Sequence, residues 1–226
     1  VSAFRIGVFA SGGGSNLQSI MDRIRSGDLP AELSFVLSNN SKSGALARAR
    51  EFGTAAYHVS AFTEGGEDKA AARILGIARS HRIDLAVLAG YMKLLPPGLL
   101  EAYRGRVVNI HPALLPAFGG AGFYGGRVHE AVLARGCQYS GITVHLVDEE
   151  YDQGQILLQR VVPVKPGWTA AELGSAVLEI EHQYYWQVIR AFAAGEIVPA
   201  EGPTPSRTVD PSRFLARLAH EDQARS

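Results

Sequence analysis

The chain has 226 residues, 46% of them hydrophobic, enough for one large domain that buries roughly 70 to 75% of its unfolded surface. Twenty-two basic residues balance 22 acidic ones, which excludes the basic field that a long nucleic acid needs and leaves small molecules as the default partners. A single cysteine, Cys137, excludes an intramolecular disulfide and a cysteine-built zinc site and fits a reducing cytoplasm; no secretory signal is read near residues 4–10 and no run is long and apolar enough to span a bilayer.

Residues 4–10 are β-rich and lead into Ser11-Gly12-Gly13-Gly14-Ser15-Asn16, after which Leu17, Ile20, Met21 and Ile24 recur at helical spacing. That is strand, glycine turn, helix. Strands are then predicted at 33–37, 55–59 and 83–89, with helices at 45–52 and 70–82 between them. The last of these strands, Ile83-Asp84-Leu85-Ala86-Val87-Leu88-Ala89, is of the buried parallel kind. Val107-Val108-Asn109-Ile110-His111 reads as a further strand that stops at Pro112, because proline has no N–H for the ladder. A glycine-rich loop at 117–126 and a helix at 128–134 follow. Two strands, 142–147 and 155–162, flank a turn around Asp152 as an antiparallel pair. Thr169 caps a long helix to about Ala194; 201–206 is a linker, and 210–226 a short terminal helix with no assigned purpose. Alternating strands and helices predict an α/β, Rossmann-like three-layer domain with a mostly parallel central sheet of about seven strands, antiparallel in its last part. Neither internal repeats nor low complexity is present.

Asn109 and His111 lie two apart and so share a face at a strand end, where open α/β sheets keep their chemistry. An amide donor beside an imidazole suits holding an oxyanion while a proton moves, although a histidine there also fits a plain buried polar contact. Asp152, in Tyr151-Asp152-Gln153-Gly154-Gln155, is the carboxylate expected near His111, stabilising its imidazolium and raising its pKa towards or above neutral. Asp148, Glu149 and Glu150 read as solvated turn charges. The backbone N–H groups of the glycine turn, with Ser15 and Asn16, make a ready anion site. A phosphate monoester, a dinucleotide and a merely tight turn all remain open there. His145 reads as a packed or hydrogen-bonded structural histidine, and His129 and His182 as surface or supporting groups. Glu181 sits at the margin of an apolar helix face, placed either to meet a ligand amine or to be solvated. No His, Cys or carboxylate cluster has metal-ligand spacing, so no metal is expected.

These residues together resemble the phosphoribosylglycinamide formyltransferase family over residues 4–200. The resemblance is carried by the motif at 11–18, by Leu88-Ala89-Gly90-Tyr91-Met92-Lys93-Leu94-Leu95, by Asn109-Ile110-His111-Pro112-Ala113-Leu114-Leu115-Pro116, by Val144-His145-Leu146-Val147, by Asp152 with Gly154, and by Glu181-His182. It implies a formyltransferase fold and transfer of a formyl group from 10-formyltetrahydrofolate to the amine of 5-phosphoribosylglycinamide in purine biosynthesis. It also implies phosphate binding by Gly14, Ser15 and Asn16, Glu181 at the glycinamide end, and a folate site of Tyr91, Met92, Lys93, Leu94, Leu95 and Asn109. Asn109 resembles the oxyanion stabiliser, His111 the proton donor, and Asp152 the group that orients His111 and raises its pKa.

On this reading residues 1–200 form the formyltransferase domain, 1–100 its phosphate-binding half and 101–200 its folate-binding and catalytic half, with 201–226 a C-terminal extension. The expected partners are small molecules, with no nucleic acid or membrane, and the expected assembly is a monomer or homodimer. The chain departs from the family in Gln153-Gly154-Gln155, where Gly-Gly-Pro or Thr-Gly-Pro is usual, and in a longer loop at 118–126. It also lacks a clear arginine for the folate glutamate tail, for which Lys69 is the nearest residue. The alternatives are a 10-formyltetrahydrofolate deformylase, which hands the same formyl group to water and usually carries an N-terminal regulatory domain, and a nucleotide-binding module without chemistry.

Overall fold

A computed structural model describes residues 3–199 and 208–223. The chain runs β1 (Phe4–Phe9), α1 (Ser15–Ser26), β2 (Ala31–Ser38), α2 (Gly44–Phe52), β3 (Ala55–His58), α3 (Ala61–Glu64), α4 (Glu67–Ser80), β4 (Leu85–Leu88) and α5 (Pro97–Ala102). It continues through β5 (Val107–His111), α6 (Gly126–Ala134), β6 (Tyr139–Leu146), β7 (Ile156–Pro163), α7 (Ala170–Ala193), β8 (Val198–Pro199), β9 (Val209–Asp210) and α8 (Ser212–Gln223). The linker expected at 201–206 lies outside the described residues.

Seven strands form one sheet in the order β3-β2-β1-β4-β5-β6-β7. The strands are parallel from β3 to β5 and antiparallel across β5–β6 and β6–β7, as the sequence predicts. Strand alternation sorts the core into two layers. Ile6, Val8, Leu85, Val87, Val108 and Val144 face one way, towards α1, α2, α6, α7 and α8. Phe9, Phe35, Leu37, Ala86 and Leu88 face the other, towards α4 and α5. Sequence periodicity missed α3 and α5 because each is too short to show a period. Their local signals are a reciprocal Ser60–Thr63 capping box and Pro97 in the first turn.

Two features of this layout position a site. The strand order reverses at β1, whose neighbours are β2 and β4, and a crevice opens beyond the C-terminal ends of strands at such a switch point. The long helix α7, capped by a Thr169–Glu172 box, runs along that crevice. Fully buried Tyr185 of α7 directs its hydroxyl at the carbonyls of Leu88 (2.7 Å) and Val108 (3.2 Å), which ties the helix to the two strands that flank the opening. Among the described residues no helix is long and apolar enough to cross a membrane.

Candidate active site

A cleft of about 760 Å³ opens at the switch point. Its walls come from Asn16, the segment after β4 (Gly90 to Leu95), the end of β5, the glycine-rich loop before α6, the loop between β6 and β7, and one side of α7. Such a volume suits a pair of small-molecule substrates.

The polar floor is built on β5 and β6. Antiparallel register sets Asn109 opposite His145 and His111 opposite Thr143, so all four share one face. Elsewhere helices α4 and α5 cover that face; here the 147–155 loop folds back over it and brings Asp152 down onto the imidazoles. His145 is buried and its Nδ1–H donates to the Leu146 carbonyl at 2.7 Å. Its Nε2 lies 3.1 Å from the Asn109 amide nitrogen. This contact sets which way the Asn109 amide faces, and Asn109 lines the cleft. His111 is also buried; its Nε2–H donates to the Phe118 carbonyl at 2.8 Å, and its Nδ1 stands 3.5 Å from Asp152 Oδ2. Asp152 Oδ1 is 3.5 Å from His145 Nε2, and the Gly120 N–H donates to Oδ2 at 2.9 Å.

These charges perturb one another. Burial alone would raise the Asp152 pKa, but the His145 and His111 rings and the Gly120 N–H outweigh it and hold the carboxylate below 3.8. For His111 the balance goes the other way, which corrects the sequence-based expectation. Burial is the largest influence and lowers its pKa; Asp152 and the Phe118 carbonyl raise it, His145 lowers it, and the net value lies below 6.5. A carboxylate at 3.5 Å does not repay the desolvation of a ring as buried as this one.

The other end of the cleft is built on α1 and α7. Gly14 caps α1 without a side-chain hydrogen bond, so the first N–H groups of the helix are not taken by a cap. Its φ is +77°, and a Cβ there would lie 3.0 Å from Ala45, so the turn requires glycine. Arg48 Nε donates to the Gly13 carbonyl at 2.9 Å and braces the turn from α2. The Ser11 hydroxyl accepts the Met92 N–H at 2.8 Å, which couples this turn to the segment after β4. Glu181, expected at the margin of α7, is buried; Asn16 Nδ2 donates to its Oε2 at 2.8 Å, while Asn16 Oδ1 is buried with no partner. Burial pushes the Glu181 pKa up to about 7, partly offset by the Asn16 bond.

A family model described as formyl transferase matches residues 4–189. A chloroplastic phosphoribosylglycinamide formyltransferase of Vigna unguiculata is 40% identical over 213 residues, covering 93% of this chain and 68% of the relative. The chain belongs to the phosphoribosylglycinamide formyltransferase family. The crystal structure of glycinamide ribonucleotide transformylase 1 from Symbiobacterium toebii is similar with a TM-score of 0.82 and 38% identity, covering 92% of this chain and 95% of that one. A formyltetrahydrofolate deformylase from Pseudomonas syringae shares the fold, with a TM-score of 0.80 and 27% identity, covering 89% of this chain and 65% of that one. The chain is therefore a formyltransferase, and the two-ended cleft belongs to a fold that the family shares.

Within this family member, the cleft brings together Asn16, Tyr91, Met92, Lys93, Leu94, Leu95, Asn109, His111, Asp152 and Glu181. Gly14 and Ser15 stand beside it at the start of α1, Ser15 facing an adjoining hollow of about 460 Å³ with Arg48 and His182. Lys69 is not brought in: it lies on α4, in the layer on the opposite side of the sheet from α7, and does not line the cleft. Two histidines do more than expected. His145, read as structural, bridges Asn109 and Asp152. His129, read as a surface or supporting group, is buried against Gly174 of α7 and lines the cleft, its Nδ1 without a partner. The available signal was its place between Val128 and Val132 on the buried side of α6. Among the described residues no group of three or more His, Cys, Asp or Glu could hold a metal ion.

Proposed function

We propose that this enzyme transfers the formyl group of 10-formyltetrahydrofolate to the amine of 5-phosphoribosylglycinamide, by direct attack of the amine and without a covalent enzyme intermediate. The observation that carries this reading is the pairing, in one cleft, of an oxyanion-and-proton cluster at β5 with a buried acceptor pair, Glu181 and Asn16 Oδ1, at α7 and α1. A substrate ammonium satisfies both acceptors and loses its proton to a carboxylate whose pKa, about 7, is matched to that transfer. The phosphate occupies the uncapped start of α1 at Gly14, Ser15 and Asn16. The folate lies along Tyr91 to Leu95, where half-exposed Met92 and Leu94 offer apolar surface.

The amine nitrogen forms a bond to the formyl carbon and the carbonyl oxygen becomes an oxyanion held by the Asn109 amide. The attacking nitrogen, left positive, sheds a proton to His111, which gives it to the folate nitrogen as the bond from that nitrogen to carbon breaks and the carbonyl re-forms. Both nitrogens of His111 face acceptors, the Phe118 carbonyl and Asp152, so the geometry suits the imidazolium that burial disfavours. The developing negative charge beside the ring supplies the remaining stabilisation, so protonation is coupled to oxyanion formation. This reading carries with it small-molecule partners and a cytoplasmic setting, the latter resting on the single, free Cys137.

The test is formyl transfer followed through folate absorbance, with and without the phosphoribosyl amine. Deformylation that depends on the amine supports the transferase. Release of formate without it supports the deformylase, and no reaction in either case supports a binding module.

A further inference from the structure

The Gln153-Gly154-Gln155 departure and the C-terminal segment, two features that the formyl-transfer chemistry does not use, meet in the structure. Gln153 is exposed, but the Gln155 amide is fully engaged with the far end of the chain. Its Nε2 donates to the Val209 carbonyl at 2.8 Å, and its Oε1 accepts from the N–H groups of Thr208 (2.7 Å) and Val209 (3.1 Å). The side chain thus imitates the peptide of a neighbouring strand, pairing with β9 on both of its hydrogen-bonding groups.

Each side of this clamp is fixed. On one side Phe214 and Leu218 of α8 are buried in the main core, and Arg217 holds Glu196 at 3.0 Å. On the other, the Gln155 carbonyl accepts the Leu146 N–H at 2.8 Å, and Gly154 packs on the Leu146 carbonyl too closely for any side chain. Gln155 therefore closes the base of the loop that carries Asp152 three residues earlier. Asp152 has φ +59°, a left-handed conformation uncommon for residues with a side chain, though aspartate adopts it more readily than most. The opposing support, the Gly120 N–H, comes from a loop rich in glycine. The rigid support is the Gln155 side.

We propose that Gln155 is a positioning residue: it clamps the docked C-terminal segment to the base of the 147–155 loop and so sets where the Asp152 carboxylate stands relative to His111. The inference rests on the formyl-transfer reading. The groups facing His111 are Asp152 from the loop, His145 from β6 and His129 from α6, with Glu150 and Glu181 lining the same cleft.

The experiment compares Gln155→Ala, Gln155→Glu and Gln153→Ala by steady-state kinetics and by NMR titration of the His111 ring. Gln155→Ala should lower kcat about tenfold or more, as expected for a sub-ångström to ångström misplacement, with KM for the phosphoribosyl amine within about twofold of wild type. His111 should titrate at lower pH than in wild type, because the carboxylate that raises its pKa has moved. Gln155→Glu, which keeps the acceptor and loses the donor to Val209, should fall between, and Gln153→Ala should match wild type. Wild-type kcat and a superimposable His111 titration in Gln155→Ala, with only a lower Tm, would overturn the proposal. If wild type transfers no formyl group, the functional reading fails, and the His111 titration alone decides: a shift supports the clamp and no shift overturns it. Should Gln155→Ala not fold, Gln155→Glu decides by the same two readouts.

Discussion

At the α1 end of the cleft the groups offered to a ligand are mostly backbone N–H groups of a glycine turn, whereas at the β5 end they are side chains drawn from a strand, its antiparallel partner and a folded-back loop. The first arrangement is contiguous: Ser11 to Asn16 supply its groups in one run, braced by Ser43, Ala45 and Arg48 at the start of the next helix and by Met92. The second is assembled over more than forty residues, and each member depends on another for its orientation. Backbone sites tolerate loss of a side chain and fail when the backbone is strained. Side-chain sites fail the moment a donor is removed.

This contrast is open to test by substitution. Asn109→Ala removes the oxyanion donor and should lower kcat on the order of a hundredfold or more, measured by folate absorbance at saturating amine. Glu181→Gln should lower kcat/KM for the phosphoribosyl amine by about a hundredfold. It should also abolish the rise of kcat/KM with pH through about 7, where Glu181 ionises. The same group predicts a stability effect of fixed sign. Its folded pKa, about 7, lies above the ordinary glutamate value of 4.5, so its stabilising contribution is complete below pH 4.5 and is lost as pH rises through 7. That loss amounts to about 3 kcal/mol, and Glu181→Gln should remove it, seen as a Tm that falls less between pH 5 and 8 than in wild type.

The α1 end should respond differently. Gly14→Ala strains a positive φ and crowds Ala45, so it should cost about 1 to 3 kcal/mol of stability and raise KM for the phosphoribosyl amine, with kcat changed less than by Asn109→Ala. Ser15→Ala should be mildest, raising that KM about threefold, the worth of one side-chain hydrogen bond. A larger effect from Ser15→Ala than from Asn109→Ala would reverse the comparison.

Much of the α1 end was legible because its signals are contiguous: an apolar strand, three glycines, then helical spacing from Leu17 to Ile24. The pairing of Asn109 with His111 was legible from the period of two and from Pro112, and the start of α7 from Thr169. The 147–155 loop was legible only in part. Asp152 was expected beside His111 and stands there, but nothing in the loop's residues says that it also meets His145, or that Gln155 reaches Val209 more than fifty residues away. The net lowering of the His111 pKa was hidden for the same reason, since it is set by burial under elements distant in sequence. His129 was missed because one buried position on a short amphipathic helix looks like any other.

The most direct test is Asp152→Asn, which keeps the shape of the side chain and removes its charge. Measured by kcat for formyl transfer and by Kd for the phosphoribosyl amine, it should lower kcat on the order of a hundredfold while leaving Kd within about twofold of wild type. A variant that keeps wild-type kcat, or one that loses binding in proportion to turnover, would contradict the assignment of oxyanion and proton-donor chemistry to the β5 end and phosphate binding to the α1 turn.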